Sequence, residues 1–472
     1  MQPSRQDHWT LSFEDLNSYC TGGHNYLLAH WEALSQDERS SLARQITQID
    51  LGLLQRELKS QVHACDASEL SRRAMPPEAI RFSDRTPELI EQAMRLGGQA
   101  IRAGQVAMVL VAGGQGTRLG FDQPKGMYAI GPISGRTLFQ MHVDSLRAAM
   151  KRYDVSIPFL VMTGPSTDQP TREYFSSNAN LGLPQDDLLI FQQGTMPAID
   201  ATTGRILMES RCTIALSPDG HGGIVRALAK STWLEQAKSR GIRYLFYAQV
   251  DNPLVRACDP LLIGLHILKG SQATTQVVQK RFATEKVGNV VQVDGKTQII
   301  EYSDLPEEIA KQTNPDGSLK LWAGNIAVHV FDVDFLDSCS QSADALPFHR
   351  ALKAVAHVDH LGNLHEPKAP NAIKLERFVF DLLPAAEKAL VVEALASESF
   401  APVKNAIGSA TDTPQSCQKA IVDLHRKWLT DAGARVDENC VVEIHPAWAW
   451  DQQDVKQRIS HPVSIHCDTY FT

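Results

Sequence analysis

The sequence of 472 residues lacks several features that common protein classes require. It has no uninterrupted run of eighteen or more apolar residues, which is the usual sign of a membrane-spanning helix. Acidic residues such as Glu14 and Asp15 stand where a secretory signal peptide needs an apolar stretch. We therefore expect a cytoplasmic protein with no membrane partner.

Paired cysteines are also missing. The eight cysteines are scattered and contain no CxxC pair, so neither a disulfide framework nor a zinc ribbon is indicated. His357, His360 and His365 lie close together in HVDHLGNLHEP, but the glycine, asparagine and proline around them favour a polar loop over a metal site.

An excess of basic charge is absent as well. Lysine and arginine number 46 against 54 acidic residues, a net charge of -8, which argues against nucleic acid as a partner. The hydrophobic share of 43% is typical of globular proteins, and the length predicts about two to four folded units.

The order of sequence patterns predicts an α/β fold. Residues 1–100 are expected to form a helical region, including a helix broken at Gly97 and Gly98. In residues 101–385, short apolar runs alternate with helical patterns, which predicts a mostly parallel, Rossmann-like mixed sheet with helices on both faces. The Asp294-Gly295 dipeptide between two alternating runs predicts an antiparallel hairpin on that sheet.

Residues 386–472 are expected to form a smaller α+β region that closes over the site. Its predicted helical stretches are AAEKALVVEALA, which begins at the end of the central region, and CQKAIVDLHRKWLTDAG. No sixfold repeat of the kind that marks a β-solenoid appears.

A glycine-rich segment, VLVAGGQGTRLGFDQPKGM at 109–127, follows the first strand-like run. Glycines let backbone N–H groups approach an anion, and such turns lie where α/β sheets bind ligands. Its spacing fits neither the GxGxxG fingerprint nor the GxxxxGK[ST] loop. Arg118 and Lys125 indicate a polyphosphate whose charge must be neutralised, although a purely structural turn remains an alternative.

The same segment resembles the signature of the eukaryotic-type UDP-sugar pyrophosphorylases, closest to those that make UDP-N-acetylglucosamine. Further blocks appear in that family's order over about residues 105–430: FQQGTMPAID, SPDGHGGIVRAL, VDNPLVRACDP, IIEYSD, AGNIAVH, IKLERFVFDLLP and FAPVKNA. The resemblance implies a nucleotidyltransferase with UTP and a sugar 1-phosphate as substrates.

The resemblance implies roles in binding the nucleotide and in catalysis. Backbone groups of three loop glycines would hold UTP, an amide and a turn would bind uracil, and three cations would act on the phosphates. The nucleotide-binding residues implied are Gly113, Gly114, Gly116, Gln193, Pro218 and Gly220; the catalytic residues implied are Arg118, Lys125 and Lys404. A generic turn remains the alternative for Pro218-Asp219-Gly220.

The resemblance further implies Mg²⁺ as the cofactor, held by Asp251. Magnesium prefers hard oxygen ligands and often takes only one or two carboxylates together with substrate phosphates. Asp251 ends the strand-like run YLFYAQV, and the alternative is that it caps the following helix.

Sugar recognition is implied for His221, Gly288, Glu301, Asn325, Phe378 and Phe380. The two phenylalanines could instead be core residues. His221 departs from the family, which has asparagine at this position. A neutral imidazole has one hydrogen-bond donor and one acceptor, whereas the amide of asparagine has two donors, so the sugar specificity stays open. Lys286 replaces an expected proline; we interpret it as a solvated hairpin residue, and the alternative is that it adds charge near the substrate.

The implied reaction is transfer of uridylyl from UTP to N-acetylglucosamine 1-phosphate. The incoming phosphate is already an anion, so no serine, cysteine or base is required, and no GxSxG elbow is present. A UDP-glucose or broad-specificity UDP-sugar pyrophosphorylase is the alternative enzyme, and an inactive nucleotide-sugar-binding regulator is the alternative from another class.

Overall fold

The computed structural model describes residues 11–20, 23–59, 67–342, 346–459, 461 and 463–472. Backbone contacts divide the chain into two compact units. Unit 1 contains the described residues of Met1–Asp66, Gly194–Gly223 and Leu346–Val379, and unit 2 contains those of Ala67–Gln193, Ile224–Ala345 and Phe380–Thr472. Each unit thus draws on separated parts of the chain, and no unit boundary coincides with the predicted region boundaries at 100 and 385.

Unit 1 combines helices with short strands. Its apolar core joins Leu42 and Ile46 of a helix to Ile199, Ile214 and other strand residues. The helices are α1 (Phe13–Tyr19), α2 (Gln36–Gln48) and α3 (Leu51–Lys59), with 3₁₀ turns at Asn25–Leu28 and Trp31–Ala33. The strands are β5 (Thr195–Pro197), β6 (Ile199–Asp200), β7 (Met208–Ser210), β8 (Thr213–Ile214), β9 (Leu216–Pro218), β15 (His349–Lys353), β16 (His357–Val358), β17 (Leu364–His365) and β18 (Ala372–Glu376).

Unit 2 contains the large sheet. Its strands are β1 (Ala79–Ile80), β2 (Val106–Val111), β3 (Phe159–Thr163), β4 (Leu188–Gln192), β10 (Tyr244–Gln249), β11 (Ala273–Gln279), β12 (Asn289–Val293), β13 (Lys296–Ile300), β14 (Ala323–Asp332) and β19 (Ala389–Ala394). Two further strand pairs near the end of the chain join β20 (Arg435–Val436) to β22 (Ser464–Ile465) and β21 (Val442–Ile444) to β23 (Thr469–Phe471).

Helices accompany this sheet along the chain of unit 2. They are α4 (Ala67–Arg73), α5 (Pro87–Arg102), α6 (Leu138–Tyr153), α7 (Asp168–Ser177), α8 (Ile224–Lys230), α9 (Trp233–Ser239), α10 (Pro260–Lys269), α11 (Glu307–Ala310), α12 (Val333–Gln341), α13 (Ala396–Ser399), α14 (Pro414–Asp431) and α15 (Gln452–Arg458).

The sheet has the order β1-β19-β11-β14-β10-β2-β3-β4, and its neighbours are parallel except where β14 pairs with β11 and β10. In β2 even the alternating residues Met108 and Val109, which point to opposite faces, are both fully buried. Such a strand is apolar throughout because both faces of the sheet are covered. The predicted mixed, mostly parallel α/β sheet is confirmed.

The predicted hairpin is also confirmed. β12 and β13 pair in antiparallel register from Asn289–Ile300 to Val293–Lys296. The turn residues Asp294 and Gly295 have φ angles of 51° and 79°, the positive values that a type I′ turn needs.

Two sequence-based predictions about single elements were wrong. AAEKALVVEALA contains the strand β19, which is paired in parallel on both sides, because a short apolar run cannot be assigned to helix or strand by periodicity alone. α5 continues through Gly97 and Gly98 without a break. A Cβ atom at Gly97 would overlap the backbone of Pro260. The absence of a side chain at this position therefore allows α5 and α10 to cross closely.

The histidine segment at 357–365 forms a short hairpin in which the strands β16 and β17 flank the polar residues 359–363, so the predicted polar loop covers only the middle of the segment. Within the described residues, no group of three or more histidine, cysteine or acidic side chains is arranged to hold a metal ion. Seven cysteines lie in the described parts and are all free thiols. None of the described helices has the length and hydrophobicity needed to cross a bilayer.

Candidate active site

The glycine loop follows β2 at the carboxyl edge of the sheet. It folds back on itself, because Lys125 N–H donates to the Gly114 carbonyl at 3.1 Å and Gly116 N–H donates to the Gln123 carbonyl at 3.0 Å. The loop therefore has a defined shape, in which the backbone of Lys125 is held beside Gly114.

The three glycines of the loop differ in their surroundings. A Cβ atom on Gly116 would lie 2.7 Å from the Phe121 carbonyl oxygen, so this glycine is needed for packing. A Cβ atom on Gly114 would meet no atom within 4 Å. Gly114 thus faces open space, which is what an anion approaching the backbone of the loop requires.

Gln193 lies against the first loop glycine. It follows β4 directly and is 8% exposed, and its N–H donates to the Thr163 carbonyl at 2.9 Å. Its Oε1 would be 3.0 Å from a Cβ atom on Gly113. The predicted amide and the predicted glycine therefore come together, although 80 residues separate them in sequence.

Two predicted charged residues form an ion pair at the same edge. The Lys125 Nζ lies 3.7 Å from the Asp251 Oδ2, and their side chains are 18% and 14% exposed. Asp251 follows β10, and the N-cap of α10 is Asp259, so Asp251 does not cap that helix. Arg118 is exposed, and no hydrogen bond or ion pair is seen for it with a described residue.

The segment that carries Lys404 is attached to this edge through its backbone. Val403 N–H donates to the Asp251 carbonyl at 2.8 Å, and Lys404 N–H donates to the Asp412 carbonyl at 2.8 Å. The Lys404 Nζ lies 5.8 Å from the ring centre of Phe400. Lys404 therefore directly follows Val403, the residue whose backbone contacts the predicted metal ligand Asp251.

Sequence reasoning missed the acidic residue beside Lys404. Burial raises the pKa of the Asp412 carboxyl above its ordinary value, while the charges of Lys404 and Arg281 act in the opposite direction. Asp412 has a positive φ of 58° in a polar stretch, where an aspartate ordinarily indicates only a turn. No pattern in the sequence could have distinguished it.

Three of the predicted sugar-binding residues also meet in unit 2. Asn325 N–H donates to the Gly288 carbonyl at 2.8 Å. A Cβ atom on Gly288 would lie 3.1 Å from Glu301 Oε1 and 3.7 Å from the Asn325 Cβ. Because β14 runs antiparallel to β11, its first residues lie at the carboxyl edge of β11, as the register Gln279–Ala323 shows.

The predicted uracil turn and His221 belong to unit 1. Asp219 N–H donates to the Gly194 carbonyl at 3.0 Å, and Arg377 N–H donates to the Asp219 carbonyl at 2.7 Å. Gly220 has a φ of 85° and lies too close to the Arg377 backbone for any side chain. The turn from Pro218 to Gly220 is therefore held by two backbone hydrogen bonds, and its last position needs glycine.

His221 is stacked on Phe378, with ring centres 5.2 Å apart, and His349 stacks on the same ring at 4.4 Å. Burial lowers the pKa of His221 to about 4, and the neighbouring His349 adds to this effect. Val379 N–H donates to His221 Nδ1 at 3.1 Å. At neutral pH the ring is therefore uncharged and carries its proton on Nε2.

The remaining predicted residues have different environments. Phe380, in unit 2, is only 4% exposed, which favours the core alternative for that ring, whereas Phe378 is half-buried in unit 1. Lys286 is exposed, as the solvated interpretation expects.

Comparison with known proteins finds relatives that match most of this chain. The family model described as UTP-glucose-1-phosphate uridylyltransferase matches residues 57–453. The chain is 38% identical over 428 residues to UDP-N-acetylhexosamine pyrophosphorylase-like protein 1 of Xenopus tropicalis, covering 87% of this chain and 83% of that protein. It is 34% identical to the UDP-N-acetylglucosamine pyrophosphorylase of Saccharomyces cerevisiae, covering 93% of this chain and 95% of the relative.

A solved structure is similar over nearly the whole chain. The uridine diphosphate N-acetylglucosamine pyrophosphorylase of Trypanosoma brucei, in complex with an inhibitor, superimposes with a TM-score of 0.82 at 26% identity, covering 98% of this chain and 99% of that one. These matches confirm the resemblance drawn from the glycine loop and the blocks that follow it. The chain belongs to the UTP-glucose-1-phosphate uridylyltransferase family of enzymes.

Proposed function

We propose that this enzyme joins UTP and N-acetylglucosamine 1-phosphate to give UDP-N-acetylglucosamine and pyrophosphate. The observation that carries the proposal is the carboxyl edge of the sheet in unit 2, where the glycine loop has an open side at Gly114 and its Lys125 pairs with Asp251, which follows β10. The names of the relatives in yeast and Trypanosoma brucei support the choice of the N-acetylated sugar.

The reaction needs alignment and charge neutralisation more than acid–base chemistry. A phosphate oxygen of the sugar 1-phosphate forms a bond to the α-phosphorus of UTP, and the bond from that phosphorus to the bridging oxygen of the β-phosphate breaks. Pyrophosphate leaves, and no proton has to move because the nucleophile is already ionised.

The residues of the loop supply the neutralisation. Backbone N–H groups around Gly114 bind the phosphates, and Lys125 and Arg118 offset the charge that grows on the departing pyrophosphate. Lys404 holds the phosphate of the sugar. The exposed guanidinium of Arg118 is suited to this role because no described partner has to be displaced when the anion arrives.

The carboxylate of Asp251 fits a magnesium ion. It is a hard oxygen ligand, it is mostly buried, and it lies at the edge where the phosphates are proposed to bind. When bound, Mg²⁺ would reduce the negative charge of the triphosphate. Asp251 would hold the ion, while its present contact with Lys125 keeps the lysine on the same side of the loop.

A panel of sugar 1-phosphates tests the proposed substrate. Pyrophosphate release from UTP is measured with N-acetylglucosamine, N-acetylgalactosamine and glucose 1-phosphates, and the highest kcat/KM is expected with N-acetylglucosamine 1-phosphate. Turnover of the glucose substrate alone would instead favour the UDP-glucose enzyme. Binding of UDP-sugar without turnover of any substrate would favour the inactive regulator.

The Asp251→Asn variant tests the proposed site. It should lose nearly all activity and most of the dependence on added Mg²⁺, because a neutral amide is a poor magnesium ligand. Asp294→Asn is the matched control, since Asp294 lies in the turn of the β12–β13 hairpin, where Asn-Gly suits the same type I′ geometry. Equal activity in both variants would contradict the assignment.

A further inference from the structure

Unit 2 contains a cavity of about 250 Å³ that is separate from the glycine loop. Its walls come from Phe82 and Arg85 before α5, from Arg136 and α6, from the segment 253–262 that follows β10, from the end of β19, from α14 and from residues 443–450. None of Gly113, Gly114, Lys125 and Asp251 lines it. A cavity of about 150 Å³ can hold benzene, so this one has room for a single substituted ring.

The acidic groups of the wall are already paired. Glu393 accepts from the Arg81 guanidinium at 2.8 Å and from Phe82 N–H at 3.1 Å. Glu443 accepts three hydrogen bonds from Ile133 N–H, Ser134 N–H and the Ser134 hydroxyl.

The two aspartates of the wall are also paired, Asp144 with Arg136 and Asp259 with Arg256. The remaining carboxylate, Glu398, has its Oε1 3.7 Å from the Lys427 Nζ. Each carboxylate of the wall therefore already has a cationic or N–H neighbour, so a cationic ligand gains little there, and an anionic ligand would meet five carboxylates.

Apart from the Arg136–Asp144 ion pair, the described polar side-chain atom of the wall that is buried without a hydrogen-bond partner is a donor. The Nε of Arg85 is buried and has no hydrogen-bond partner among the described residues, while the Nη2 of the same side chain donates to the Glu393 carbonyl. Burial also lowers the pKa of this guanidinium below its ordinary value. A buried donor without an acceptor is costly, so an occupant that brings an acceptor would be favoured.

Aromatic side chains form another part of the wall. His425 and Trp428 lie with ring centres 5.6 Å apart. Ile444 N–H donates to His425 Nδ1 at 3.1 Å, and burial lowers the pKa of the imidazole to about 4, so the ring is neutral and carries its proton on Nε2. This wall suits a flat, uncharged ring.

The cavity touches the two chain segments that lead to the candidate active site. Pro253–Arg256 and Leu395–Ser399 both contribute to its wall. Asn252 joins these segments, because its Nδ2 donates to the Ser399 carbonyl at 2.7 Å and its Oδ1 accepts from Ala401 N–H at 3.0 Å. Asp251 immediately precedes Asn252 in the chain, and Lys404 follows Ala401 by three residues.

We propose that this cavity is a regulatory binding site for an uncharged aromatic small molecule that carries a carbonyl or hydroxyl acceptor. Its occupant contacts the segments on both sides of Asn252 and thereby restricts the movement of the segments that carry Asp251 and Lys404. The effect on turnover rests on the proposed function, whereas binding and the restriction of movement do not.

Three probes with the same ring test the class of ligand: benzamide, benzoate and benzylammonium. Ligand-observed NMR should show saturable binding of benzamide with a Kd on the order of 1 mM, as expected for so small a molecule, and weaker binding of both charged probes. No saturable binding of benzamide, or tighter binding of either ion, would overturn the proposal.

Two variants place the binding in the cavity. Leu254→Trp fills the space and should abolish binding of benzamide, whereas Leu361→Trp, at an exposed position in unit 1, should leave it unchanged. Arg85→Lys keeps the charge but removes the Nε donor, and should weaken binding about tenfold. Wild-type affinity in both Leu254→Trp and Arg85→Lys would refute the location.

Hydrogen–deuterium exchange tests the coupling without relying on catalysis. Benzamide should slow exchange of the amides of Ala401 and Val403, which donate to Asn252 and Asp251, and leave the β12–β13 hairpin unchanged. The same concentration should change the rate of uridylyl transfer in the wild type and have no effect in Leu254→Trp. Unchanged exchange at both amides, or an unchanged rate at saturation, would overturn the regulatory role.

Discussion

The glycine loop allows a sharp separation of folding from function, through the Gly114→Ala variant. The φ of Gly114 is not positive, and the added methyl group would meet no atom within 4 Å. The protein should therefore fold with unchanged stability, or gain about 0.4–1 kcal/mol because alanine restricts the unfolded chain.

Activity should respond in the opposite direction. The methyl group occupies the space through which the phosphates approach the backbone of the loop. Loss of one hydrogen bond to a charged oxygen costs about 1.5–3 kcal/mol. Since about 1.4 kcal/mol corresponds to a factor of ten, kcat/KM should fall by roughly ten- to a hundredfold.

The assay combines the pyrophosphate-release rate with the midpoint of urea unfolding. Gly116→Ala is the contrasting variant, because its methyl group would meet the Phe121 carbonyl and should cost about 1–3 kcal/mol of stability. Gly52→Ala, in the first turn of α3, is the control for the substitution itself and should gain at most about 1 kcal/mol of stability without loss of activity. A stable Gly114→Ala variant with full activity would refute the proposed phosphate site. A clear loss of stability in this variant would instead contradict the finding that the space beside Gly114 is open.

Further predictions concern packing and pH. Gly97→Ala should lower the urea midpoint more than Gly98→Ala, because its methyl group overlaps the Pro260 backbone, whereas the nearest neighbour at Gly98 is a side-chain ring, that of Tyr153, at 3.1 Å; equal midpoints would contradict the close crossing of α5 and α10. Burial lowers the pKa of His142, His221 and His425 from 6.5 to about 4. Because the unfolded chain then binds more protons, their contribution to stability is complete above pH 6.5 and is lost as the pH falls toward 4. His425→Asn should reduce the fall in the free energy of unfolding between neutral and acidic pH, as measured by urea unfolding at several pH values. An unchanged pH dependence would contradict the lowered pKa of His425.

Much of unit 2 could be predicted from local patterns. The strand before Gly113 and the turn at Asp294-Gly295 occur where the sequence places them, and the helix Leu138–Tyr153 is one of the helical patterns that alternate with the strands of residues 101–385. Each depends on interactions among neighbours in the chain, namely apolar periodicity, a capping threonine and residues that accept positive φ. The glycine loop belongs to this group, since its backbone bonds close within a dozen residues.

Other features arose only when distant segments met. β19 is a strand because β1 and β11 offer parallel partners on both sides, and α5 stays intact at Gly97 because α10 needs that close approach. The Lys125–Asp251 pair, the Asn252–Ser399 bond and the cavity beside it join residues more than a hundred positions apart. The sequence by itself determined which chemical groups are present and the local turns that present them. The tertiary structure decided which groups are neighbours, because burial, ion pairing and close backbone packing depend on distances that no local pattern encodes.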